Sequence, residues 1–87
     1  MQYPLFKGFE LPDDERALDI LERISILWED NGTVYPKKSG IHHQRVTYEQ
    51  REKLIEISVT EPQLIEEKLA DEITLPGLLL WLDSVDF

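Results

Sequence analysis

The chain has 87 residues, of which 41% are hydrophobic, and this is enough for one small folded domain. Its 18 acidic and 9 basic residues give a net charge of −9, so the surface repels nucleic acid and anionic membranes. It contains no cysteine, which excludes disulfides, thiolate metal sites and cysteine nucleophiles.

Several features favour a cytoplasmic protein. Small secreted domains usually need disulfides or metals for stability, and this chain has no cysteine. Residues 1–5 lack the positive charge and the long apolar run that mark a signal peptide. The longest apolar run, residues 78–82, is far shorter than the roughly 20 residues of a membrane span, so we expect no membrane partner.

The spacing of prolines, glycines and helix-capping residues predicts an all-α domain. We expect a small bundle of three to four short helices with an extended N-terminal arm and a long basic loop. The predicted elements in chain order are the arm (1–12), helix 1 (13–31), the loop (32–46), helix 2 (47–59), helix 3 (60–73) and an apolar C-terminal helix (74–87).

The N-terminal arm is predicted from its prolines. Pro4 and Pro12 disfavour helix at the residues that precede them, and Gly8 permits a turn. The arm also carries apolar and aromatic side chains, so we expect it to pack across the helices. The alternative is a short segment that docks on a partner.

Helix 1 is predicted from an N-cap at Asp13 and from Asn31-Gly32, a pair suited to a left-handed C-terminal cap. On a helical wheel, its apolar residues fall on one half and its charged residues on the other. Ile26 lies alone in the middle of the charged half. It is either an ordinary exposed residue or the centre of a contact with another chain.

The predicted loop concentrates positive charge between two acidic segments, because residues 37–48 contain no acid. Loops of this length in a compact domain are often functional. The two adjacent histidines lack the spacing usual for metal ligands, so we expect them to add to a basic patch instead. The residues of this basic loop are Lys37, Lys38, His42, His43 and Arg45.

Helix 2 is predicted from a capping box, in which Thr47 is the N-cap and Gln50 lies three residues later. Residues 54–60 leave two alternatives. Their apolar and polar side chains alternate as in a strand, whereas the strongly helical residues before them favour a helix that frays by Ser58.

Two further caps place the remaining helices. Thr60 and Gln63 fit a second capping box, which predicts the start of helix 3. Thr74 is the expected N-cap of the C-terminal helix, whose apolar residues extend almost all the way round it. Such a helix is typically buried, so we expect it to form the core. The alternative is that one face binds a second copy or a partner.

The sequence predicts no catalytic activity. Its serines lie in no nucleophile motif, and its glycines form no phosphate-binding loop. A helix-turn-helix alignment of residues 63–82 fails, because the second helix has no side chain that reads base edges. We therefore expect no cofactor, no metal and no direct nucleic-acid binding, with weak nucleic-acid contact through the basic loop as an alternative.

We expect the protein to bind another protein, as an inhibitor, an immunity-type protein or a regulator. Dense negative charge suits a basic or nucleic-acid-binding partner, because opposite potentials speed encounter. The alternative is a structural or accessory subunit that self-associates, for example as a homodimer. The predicted partner-binding residues are Asp19, Glu22, Ile26, Glu29 and Asp30 on helix 1, with Trp81 and Phe87 in the C-terminal helix.

Overall fold

A turn of 3₁₀ helix (Pro4–Phe6) precedes α1 (Glu15–Val34), α2 (Tyr48–Thr60), α3 (Pro62–Ala70) and α4 (Leu75–Ser84). These elements come from a computed structural model that describes residues 3–34 and 45–85, with the side chains of 3–29 and 45–85. The predicted all-α class is confirmed. Within the described ranges, every helix is too short or too polar to cross a membrane.

The N-terminal segment is not fully extended, so this part of the prediction is wrong. Pro4 begins a short helical turn, because its fixed φ angle suits a first helical position. The turn buries Leu5 and Phe6, each 1% exposed, against α1. Gly8 follows with a φ angle of 90°, a conformation that favours glycine.

Helix α1 is displaced toward the C-terminus relative to its predicted bounds. Asp14, not Asp13, is the capping residue, since its carboxylate accepts hydrogen bonds from the backbone N–H groups of Arg16 (2.9 Å) and Ala17 (3.4 Å). The helix continues through Asn31-Gly32 to Val34. Asn and Gly favour a left-handed cap without requiring one, and Gly inside a helix costs only about 1 kcal/mol relative to Ala.

Helix α2 confirms the first capping box. The Gln50 N–H donates to Thr47 Oγ1 (3.0 Å), and the Thr47 N–H donates to Gln50 Oε1 (2.9 Å). The helix runs to Thr60, so both the strand alternative for residues 54–60 and the fraying at Ser58 are wrong. The burial of the apolar residues in this segment follows the helix, because Leu54 and Ile57 are buried while Val59 is exposed.

Helix α3 does not use the second capping box. Glu61 is the capping residue and makes no side-chain cap hydrogen bond. Thr60 still belongs to α2, and its hydroxyl donates to the Glu56 carbonyl (2.9 Å). The helix also ends at Ala70, earlier than predicted, and Glu72 adopts a φ angle of 55° that directs the chain into the next helix.

Helix α4 is capped by Thr74, whose hydroxyl accepts a hydrogen bond from the Gly77 N–H (3.3 Å). It contributes one buried face to the core, but it is not buried all round: Leu80 is 73% exposed and Trp81 is half-buried. The helix ends at Ser84 because Val85 is extended. The buried face consists of Leu75, Leu78, Leu79 and Leu82.

Replacement of Thr47 by alanine is expected to lower the free energy of unfolding by about 1 kcal/mol, because the N-cap hydroxyl is lost. The matched Thr60→Ala variant is expected to change it by less than about 0.5 kcal/mol, because this hydroxyl caps no helix. Urea denaturation followed by circular dichroism measures both effects. Equal losses would contradict the assignment of the cap to Thr47 alone.

Candidate functional site

The acidic half of α1 holds most of the residues that the sequence predicts for partner binding. Asp19 and Glu29 are exposed, and Glu22 is half-buried. Ile26 is 49% exposed, so an apolar side chain does lie in solvent between carboxylates. Arg23 reduces the local negative charge, because its Nη1 lies 3.9 Å from Asp19 Oδ2. The side chain of Asp30 and the whole of Phe87 lie outside the described residues.

A second acidic surface lies on α2, outside the partner-binding residues predicted from the sequence. Glu52 and Glu56 are exposed on the ridge between two grooves, and both residues line both grooves. The aromatic groove has a volume of about 480 Å³ and is lined by Gly8, Phe9, Glu10, Tyr48, Glu52, Ile55 and Glu56. The polar groove, about 530 Å³, is lined by Thr47, Glu49, Gln50, Glu52, Lys53, Glu56 and Asp83.

A ladder of aromatic rings connects the aromatic groove to the core. Phe6 is buried, and its ring meets Phe9 edge to face at a centroid distance of 6.5 Å. The Phe9 ring in turn meets Tyr48 at 4.8 Å with a tilt of 34°. Tyr48 is 65% exposed, so the ladder ends in solvent. Because the N-terminal segment and α2 are distant in sequence, periodicity within either segment gives no sign of this contact.

The exposed part of α4 differs from the predicted one. Trp81 is half-buried, and Lys68 Nζ of α3 lies 5.8 Å from its ring centroid. Leu80, which is not among the predicted partner-binding residues, is the exposed leucine. It lines a third groove of about 290 Å³ together with Arg45, Gln50, Pro76, Leu79 and Asp83.

Of the basic loop, the structure describes Arg45 alone, which is exposed and lines the third groove. Lys37, Lys38, His42 and His43 lie outside the described residues. The prediction of a basic patch, and the nucleic-acid alternative that depends on it, therefore stay predictions.

An ion pair joins α1 to α3. The Arg16 guanidinium donates two hydrogen bonds to the Glu66 carboxylate, from Nη2 to Oε1 (2.6 Å) and from Nε to Oε2 (2.9 Å). These hydrogen bonds lower the pKa of Glu66 below its ordinary value, and the positive charge of Arg16 adds to the effect against a partial loss of hydration. The same hydrogen bonds raise the pKa of Arg16. The pair therefore holds both groups in their charged forms.

Within the described residues, no group of three or more His, Asp or Glu side chains is placed to hold a metal ion. Comparison of the chain with protein-family models, with curated proteins and with solved structures finds no match.

The Glu66→Gln variant is expected to be less stable than the wild type at neutral pH, with no difference in strong acid. The folded-state pKa of Glu66 is lowered, so the pair stabilises the fold fully above the unfolded-state pKa, about 4.3 for Glu. This stabilisation is lost as the pH falls through the lower folded-state pKa. Urea midpoints measured across this pH range test the expectation.

The control is Glu67→Gln, which removes the same charge from the neighbouring residue of α3. Glu67 is exposed and forms no ion pair with any basic residue that the structure describes. A loss of stability that is independent of pH in Glu66→Gln, or equal in both variants, would contradict the role of the ion pair.

Proposed function

We propose that the protein is a non-catalytic binding protein that attaches to a positively charged surface of another protein, as an inhibitor, immunity-type or regulatory protein does. The observation that carries the proposal is the small number of ion pairs. Among the described basic and acidic side chains, pairs form only between Arg16 and Glu66 and between Arg23 and Asp19. The other described carboxylates of α1 and α2 keep their charge available to a partner.

The charged and apolar side chains exposed on α1 and α2 support the same function. Carboxylates on α1 and α2 attract a basic partner over several ångströms and orient it before contact. Exposed apolar and aromatic side chains, Ile26 on α1 and Tyr48 on α2, lie among these charges. Together they offer the apolar contact that a specific interface adds to electrostatic attraction.

Affinity purification of the tagged protein from the cells that produce it, with mass spectrometry, identifies the partner. The captured protein is expected to have a basic surface and to be released by salt. With the purified pair, stopped-flow measurement is expected to show an association rate that falls steeply as ionic strength rises, with a nearly constant dissociation rate. An association rate independent of salt would contradict the proposal.

Self-association through α4 is a second candidate function. Its support is Leu80, which is 73% exposed beside the exposed Pro76. An apolar contact of this kind gives a dimer that depends weakly on salt. Sedimentation at increasing concentration is expected to show a dimer for the wild type and a monomer for Leu80→Glu. A wild-type monomer throughout would exclude this function.

A further inference from the structure

The aromatic groove has a mixed lining that restricts what it can bind. Phe9 and Ile55, both half-buried, contribute apolar surface, and the exposed Tyr48 ring adds an aromatic face. Its volume of about 480 Å³ lies within the range of about 300–1,000 Å³ usual for binding pockets. The groove is therefore large enough for a long side chain and offers it apolar contact.

The charged residues of the lining have one sign. Glu10, Glu52 and Glu56 are exposed carboxylates, and the described residues that line this groove include no basic side chain. The other two grooves each include a basic residue, Lys53 in the polar groove and Arg45 in the third groove. The aromatic groove is thus the one of the three whose lining favours a cation alone.

An aromatic ring beside carboxylates is a suitable environment for a lysine or arginine side chain. The apolar stem of such a side chain packs on the ring, its charge is attracted to the ring face, and its donors reach the carboxylates. The described residues include an example of a cation above a ring, Lys68 over Trp81 at 5.8 Å. Tyr48 is more exposed than Trp81, and no described basic side chain lies over its ring.

We propose that the aromatic groove binds a lysine or arginine side chain from an extended basic segment of the partner protein. The inference rests on the proposed function and names the site within it. A segment fits better than a small cation, because Glu52 and Glu56 also line the polar groove on the other side of the α2 ridge. Glu49 and Asp83 extend the negative lining there, so successive basic side chains can occupy both grooves.

The probe is an acetylated and amidated peptide of alternating lysine and alanine, titrated into ¹⁵N-labelled full-length protein. Amide signals of Gly8, Glu10, Tyr48 and Glu52 are expected to shift, while those of the acidic half of α1 shift less. A peptide with glutamine in place of lysine is expected to cause no shift. Lysine amide alone is expected to bind at least tenfold more weakly than the peptide.

Matched variants assign the affinity to the groove. The double variant Glu52→Gln/Glu56→Gln is expected to weaken peptide binding about fivefold. Its control, Glu67→Gln/Asp71→Asn, removes the same charge from exposed carboxylates on α3 and at its C-terminal end, which line neither groove, and is expected to weaken binding less than twofold. Tyr48→Leu, which keeps apolar volume without the aromatic face, is expected to weaken it about two- to fivefold. Amide spectra of each variant verify that the fold is retained.

The outcomes separate the inference from the proposed function. Equal weakening of peptide binding by the two double variants, or the absence of localised shifts, would contradict the groove as the binding site and leave a diffuse acidic surface as the binding face. Binding of lysine amide as tightly as the peptide would contradict an extended segment as the occupant. Conversely, peptide binding that is specific to the groove would support the inference. If the association rate with the cellular partner is then independent of salt, the proposed function is wrong while the groove remains a binding site.

Discussion

The buried face of α1 is the surface on which the other described elements pack. Ala17, Ile20, Leu21 and Ile24 are fully buried, and α1 contacts the N-terminal turn and each of α2, α3 and α4. One amphipathic helix therefore supplies the common core, and α4 adds a buried face to it. In an acidic chain this burial must also offset repulsion between like charges, because few described carboxylates are in ion pairs.

Local signals in the sequence, such as helix caps, predict a helix boundary correctly where the signal has one possible interpretation. Thr47 has one helix to cap, and the predicted capping box forms. Thr60 and Asn31-Gly32 carry equally good signals, yet α2 includes Thr60 and α1 includes Asn31-Gly32. The all-α class and the exposure of Ile26 follow from periodicity, whereas helix ends depend on tertiary contacts that one segment does not encode.

The candidate site likewise divides into a part that the sequence predicts and a part that depends on tertiary contacts. The spacing of residues within one helix predicts the negative charge on α1, with Asp19, Glu22 and Glu29. The aromatic groove forms only when Phe9 reaches Tyr48 across the fold, so neither residue stands out in its own segment. Similarly, Trp81 and Leu80 are neighbours in an apolar run, and the packing of α4 decides that the leucine is the more exposed. Composition thus supports the proposed kind of partner, and the tertiary structure supports the proposed groove.

The ring ladder of Phe6, Phe9 and Tyr48 links the position of an exposed ring to the packing of the core. Phe6 is buried in the core, Phe9 packs on it edge to face, and Tyr48 packs on Phe9. A substitution of Phe6 by a smaller residue would therefore remove packing contacts that support the exposed Tyr48 ring, without altering any surface residue or charge. The proposed binding of a basic segment in the aromatic groove would therefore respond to a substitution in the core as well as to changes of surface residues.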